Sequence, residues 1–231
     1  MKKLLLALSL SLLTSSAFAA DAVVEDVVVV DEAFNWSGMY IGAAVGYGWS
    51  DPEVSFDAVP NASVEYDLDG FLGGIYAGYN YQMPNNIVVG VEADINYSDI
   101  DGDGDAIQGG VVNPGYAGTA RIEWQGSVRG RIGYAFDRIL PYFTAGVAFG
   151  EIEENFFNVP TTVTATFSDT FTGWTVGGGL EYAVTDNIIL RGEYRYTDFG
   201  SEDFPEVSPY SDPHELEVET HDVRFGVAYK F

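Results

Sequence analysis

The sequence predicts an all-β protein: an eight-stranded antiparallel up-and-down transmembrane β-barrel with four long acidic extracellular loops. Three observations predict it. Eight segments alternate between an apolar face and a polar or small face, the period-2 pattern of strands between unlike environments. An export signal opens the chain. The last segment, His221 to Phe231, carries the alternation to an aromatic carboxyl terminus.

At the amino terminus, Lys2 and Lys3 precede an apolar run from Leu4 to Leu13, and Ala17-Phe18-Ala19 supplies a small-x-small cleavage site. Residues 1–19 are therefore read as a signal peptide, which leaves 212 of 231 residues in the mature chain. That run is too short to cross a bilayer as a helix, and no later stretch reaches the ~18 consecutive apolar residues a helix needs. Residues 20–35 mix valines with acids and read as a periplasmic tail; residues 36–231 are assigned to one barrel domain.

The predicted strands are 38–49, 70–82, 87–98, 120–134, 140–150, 171–183, 188–199 and 219–231. Short connections with turn residues join three pairs: Met83-Pro84-Asn85-Asn86, Phe136-Asp137-Arg138 and Thr185-Asp186-Asn187. Four long connections, 50–69, 99–119, 151–170 and 200–218, alternate with them. Short turns on one rim and long loops on the other is the asymmetry of outer-membrane barrels, and an even strand number puts both termini on the turn side.

Parity assigns the faces. In the third strand Val89, Val91, Ala93 and Ile95 oppose Glu92 and Asp94; in the fourth, Ile122, Trp124, Val128 and Ile132 oppose Arg121, Glu123, Arg129 and Arg131. The seventh sets Leu190, Tyr194 and Tyr196 against Arg191, Glu193 and Arg195. In the last, His221, Val223, Phe225, Val227, Tyr229 and Phe231 oppose Asp222, Arg224 and Lys230. A soluble calyx would turn the apolar face inward, but its charged exterior would carry many lysines. Here the charged faces hold arginines and acids with one lysine, a mixture that suits a self-neutralising interior.

Aromatic residues on the apolar face support that choice. Tyr81, Tyr134, Phe143, Tyr182 and Tyr229 lie near the turn rim, and Trp49, Tyr97, Trp124, Phe149, Trp174 and Tyr196 near the loop rim. Two such girdles match the ~9–11 residue span of a tilted membrane strand.

Charge and composition exclude several functions. Formal net charge is −25, and −27 once Lys2 and Lys3 leave with the signal, so the surface repels nucleic acid. With no cysteine there is no disulfide, thiolate metal site or thiol nucleophile. Eight strands enclose a lumen that side chains fill, so an open aqueous channel is not the default. The inward ions, Glu92, Asp94, Arg121, Glu123, Arg129, Arg131, Glu181, Arg191, Glu193, Arg195, Asp222, Arg224 and Lys230, must pair in low dielectric. A turn centred on Asp186 sets Glu181 opposite Arg191. The pairing reads as a structural plug ahead of a gated ion path.

Other patterns are weaker. Asp99-Ile-Asp101-Gly-Asp103-Gly-Asp105 resembles the start of a calcium-binding EF-hand loop, yet its twelfth position is Gly110 where a bidentate Glu is required, so a solvated acidic loop is expected. His214 with Ser208, Ser211 and Asp212 has no fixed nucleophile-to-base geometry, and haem capture by Tyr210 and His214 has no better support. His221, on the outward face near the loop rim, suits an interfacial role. No catalytic residue, cofactor or metal ligand is assigned.

The stretch Trp36 to Gly42, the segment Arg129 to Tyr142, the pairs Gly173-Trp174 and Glu181-Tyr182, and the ending Val223 to Phe231 resemble the alpha-proteobacterial 25/31-kilodalton outer-membrane protein group, among the opacity-protein and OmpA-like eight-stranded barrels. The resemblance implies a surface barrel, sometimes classed as porin-like, with roles in envelope integrity and surface interaction. The partners expected are outer-membrane lipid, an external surface ligand, and lipopolysaccharide, which divalent cations collected on the acidic loops would bridge; the resemblance adds the assembly machinery, which would read Phe231 with Tyr229 and Val227 behind it. A narrow channel for small solutes is the second functional reading.

Overall fold

A computed structural model describes residues 33–56, 62–158, 163–204 and 214–231. The strands are β1 (Gly38–Ser50), β2 (Glu53–Phe56), β3 (Ala62–Tyr66), β4 (Leu68–Gln82), β5 (Ile87–Gln108), β6 (Val111–Tyr134), β7 (Ile139–Asn158), β8 (Val163–Ala183), β9 (Ile188–Phe204) and β10 (His214–Lys230). Eight of them close a ring in the order β1-β4-β5-β6-β7-β8-β9-β10, every neighbour antiparallel. The seam runs from Tyr40↔Lys230 to Trp49↔His221. Closure removes every strand edge from the bilayer zone, which the absence of water there demands.

The lower half follows the alternation. Val91, Ile95, Val128, Ile132, Val147, Leu180, Phe225 and Val227 are exposed on the outer surface, a continuous apolar belt that a water-soluble monomer would not present. Tyr81, Tyr134, Phe143, Tyr182 and Tyr229 flank it towards the turns; Trp49, Tyr97, Phe149 and Trp174 flank it at the other end. Ten residues of a strand tilted by ~40° cover roughly 25 Å, the height of a membrane belt.

The four long connections differ from expectation, because much of each is strand. β5 continues to Gln108 and β6 restarts at Val111, joined by Gly109 (φ 62°) and Gly110 (φ 80°). Two consecutive positive φ angles make the tight turn whose twist matches flanking strands, and glycine adopts them without strain. Asp99 to Asp105 therefore lies in extended backbone, with Asp99, Asp101, Asp103 and Asp105 all exposed, and has no winding for an EF-hand. The first connection forms the hairpin β2–β3, which takes the places of β1 and β4 in the wall above their ends: β2 pairs with β10 and β3 with β5. This is a second storey on the ring. Among the described residues the β8–β9 ladder stops at Trp174↔Asp198, while β7–β8 runs to Asn158↔Val163 and β9–β10 to Phe204↔His214.

Candidate functional site: a three-layered lumen

The middle layer is ionic. Of the thirteen charged residues expected inside, ten meet there: Arg129, Arg131, Arg191, Arg195 and Arg224 with Glu92, Asp94, Glu181, Glu193 and Asp222. Five formal charges of each sign cancel. Glu92 on β5 is the hub, receiving Arg191 from across the lumen at 2.9 Å on Oε1 and 2.6 Å on Oε2, and Arg129 at 2.6 Å. Glu181 stands opposite Arg191 on β8 and β9, with Nε and Nη2 of Arg191 at 2.8 and 2.6 Å from Oε1; its other oxygen takes Arg131 at 2.8 Å. Glu193 binds Arg129 at 2.8 Å and Arg195 at 3.1 Å. Asp94 accepts from Arg195 at 2.9 Å, from Arg224 at 3.3 Å and from Ser127; Asp222 pairs with Arg224.

Tyrosines complete this layer, and parity on charged residues alone does not find them. The Tyr40 hydroxyl donates to Glu92 at 2.7 Å and accepts from Arg131 at 2.8 Å; the Tyr142 hydroxyl donates to Glu193 at 2.6 Å. Arg191 lies 4.1 Å from the Tyr76 ring centre and Arg131 4.3 Å from that of Tyr142. A signal for them exists in the register. Tyr40 faces Gly78, Tyr76 faces Gly42 and Tyr142 faces Gly179, and a Cβ on any of these glycines would overlap the facing ring. Glycine opposite an aromatic residue is the pairing that lets a large ring lie across a narrow barrel wall.

Three expected members lie elsewhere. Arg121 is exposed on the outer face between Asp101 of β5 and Glu153 of β7, and Glu123 is only half-buried. The cause is a β-bulge: the β6–β7 register jumps between Ile122 and Trp124, with Glu123 as the extra residue, and alternation inverts beyond it. Ile122 thus turns inward, 0 % exposed, where an outward position was expected. Lys230 is half-buried at the turn rim, its ammonium 5.3 Å from the Phe34 ring centre.

Apolar clusters lie above and below the ions. Above lie Leu72, Ile100, Ile122, Ile152, Phe171 and Phe199, with further buried neighbours. Below lie Phe34, Trp36, Val88, Leu140, Ala183 and Ile189. Phe34, which falls within the stretch read as a tail, is buried in this layer, while residues 20–32 are outside the described residues. Of the weaker candidates, Ser208, Tyr210, Ser211 and Asp212 also lie outside them, and for His214 only the backbone, at the start of β10, is described. His221 is on the outer face, stacked on Trp49 at 5.7 Å between ring centres and 2.8 Å from the Tyr194 hydroxyl. Val227, Tyr229 and Phe231 are exposed on that face, Tyr229 and Phe231 edge to face at 5.1 Å.

Comparisons with known proteins place this architecture. The model of the family described as outer membrane protein beta-barrel domain matches residues 5–231. The 31 kDa outer-membrane immunogenic protein of Brucella melitensis is 39% identical over 246 residues, covering 100% of both chains. The 25 kDa outer-membrane immunogenic protein of Brucella abortus is 35% identical over 230 residues, 94% of this chain and 92% of that one; a 22 kDa outer membrane protein of Rhizobium leguminosarum is 39% identical over 175 residues, 76% and 70%. Among solved structures, the outer membrane protein OprG of Pseudomonas aeruginosa superposes with a TM-score of 0.54 at 14% identity, covering 86% of this chain and 98% of that one. The outer membrane protease OmpT of Escherichia coli gives 0.55 at 10%, with the same coverage. At these identities the two structures speak for the fold alone. A closed ring with a lipid-facing belt, a family match over nearly the whole chain and full-length relatives agree: the chain belongs to the outer-membrane β-barrel family that includes the Brucella 25 and 31 kDa immunogenic proteins, and it resides in the Gram-negative outer membrane.

Proposed function

We propose that this chain is a non-conducting, non-enzymatic structural barrel that reinforces the outer membrane and offers its second storey as an interaction surface. The observation that carries the reading is the layered lumen: five arginines and five carboxylates, each in at least one ion pair, lie between two apolar clusters, an arrangement that argues against an open aqueous path. Residues 1–19 act as the signal, the turns and both termini face the periplasm, and the second storey faces outward. Val227, Tyr229 and Phe231 serve as the contact for the assembly machinery. Lipid surrounds the apolar belt, divalent cations link the acidic crown to lipopolysaccharide, and an external ligand meets the storey.

Single-channel recording of the refolded mature protein tests the sealed lumen, with silence expected. Reproducible steps that vanish in an empty-detergent control would establish the second reading, a narrow channel for small solutes, which would require Arg191 to leave Glu92.

A further inference from the structure

We propose that Ala33–Ser37 is a strap that docks last, onto the completed ring, and closes the turn-rim mouth of the lumen. Phe34 and Trp36 are buried in that mouth and meet edge to face at 4.9 Å. Neither belongs to a strand, so no ladder holds them. Their hold is a set of latches from three separate places. The Phe34 amide donates to Oδ1 of Asp137 at 2.9 Å, and the Trp36 indole N–H donates to the Asp137 carbonyl at 2.8 Å. The Trp36 amide donates to Oε1 of Gln82 at 2.7 Å, while the Gln82 amide donates to Oγ of Ser37 at 2.9 Å. Arg138 and Lys230 lie 5.5 and 5.3 Å from the Phe34 ring centre.

Asp137 is specialised for the task. It sits in the β6–β7 turn at φ 53°, a left-handed conformation that glycine would adopt with less strain. Glycine could supply the carbonyl but not the carboxylate. An aspartate here keeps the turn and adds the second latch.

The origin of the latches sets the order of events. Gln82 ends β4, Asp137 and Arg138 form the β6–β7 turn, and Lys230 is the penultimate residue of the chain. These groups surround one mouth only after β10 has paired with β1, since Tyr40↔Lys230 is the lowest rung of that seam. Before closure the strap has no complete receptor. After closure its tether, the start of β1 at Gly38, holds it beside the mouth.

The test reads Trp36 and not conductance, so it stands apart from the sealed-lumen reading. A mature protein with Trp49, Trp124 and Trp174 changed to Phe reports from Trp36 alone. During refolding into phosphatidylcholine vesicles, protection of Trp36 from acrylamide should trail the compact, heat-sensitive gel band several-fold in time. In the folded state Asp137→Gly should raise quenching of Trp36 at least threefold while the band persists. Protection that precedes or coincides with the band, or unchanged quenching in the Asp137→Gly protein, overturns the proposal. Should that variant yield no band, Phe34→Ala, which leaves the turn intact, takes its place: raised quenching supports the strap, and wild-type quenching overturns it.

Discussion

Glu92 shows how much one residue carries when the solvent is excluded. Its carboxylate receives Arg129 from the adjacent strand β6, Arg191 from β9 across the lumen and the Tyr40 hydroxyl besides, at 2 % exposure. Removing one partner of a buried pair leaves an uncompensated ion and costs about 3–5 kcal/mol. Glu92→Gln is therefore expected to lower unfolding stability in urea by about that amount. Arg121→Gln, on the exposed face, should change it by about 0.5 kcal/mol or less. Comparable losses in the two variants would contradict the placement of Arg121 outside. Tyr142→Phe tests the tyrosines: it takes a donor from Glu193 and should cost about 1–3 kcal/mol.

At the scale of elements, the eight ring strands were legible because the apolar belt enforces alternation along most of each strand. The second storey was less legible, since above the belt water admits polar residues on both faces of a strand. Asp99 to Asp105 shows the confusion: its aspartates and glycines read as turn residues, yet they alternate as exposed Asp and inward Ile100, Gly102 and Gly104. The bulge at Glu123 had no local signal, because its identity depends on register with Ile152 and Glu151 of the neighbouring strand. The strap is not legible in the alternation, because Phe34 and Trp36 keep step with inward Tyr40 yet pair with no strand. The storey makes a checkable statement. Ser63 and Ile107 are direct partners between β3 and β5, so cysteines placed there have Cα atoms within disulfide range. Ser63→Cys with Ile107→Cys should crosslink nearly completely under mild oxidation in this cysteine-free chain; a free loop at 50–69 would give only a minor fraction.

Over the whole molecule, charge is partitioned by height. Five of the chain's ten basic residues are consumed by the ionic layer, whose charges cancel, so the net −25 of the chain is carried by residues outside that layer. The upper wall consequently sets like charges side by side: Asp69 directly faces Asp101, and Glu65 directly faces Asp105, all four exposed. Like charges opposite one another destabilise a strand pair by roughly 0.2–1 kcal/mol. Salt screens exposed charges, the Debye length falling from ~30 Å at 0.01 M to ~10 Å at 0.1 M, but screens buried pairs far less. The two levels should thus respond differently to ionic strength. Raising sodium chloride from about 0.01 to 0.1 M should slow amide hydrogen exchange in β3 and in the Asp101–Asp105 part of β5 about twofold to fivefold, the rate equivalent of that relief. Exchange at Glu92, Arg129 and Arg191 should stay unchanged, because their partners are enclosed between apolar layers. Uniform slowing along β5 would mean that salt acts on the barrel as a whole, and faster exchange in the storey would mean that its acids are held by attraction to cations that salt displaces.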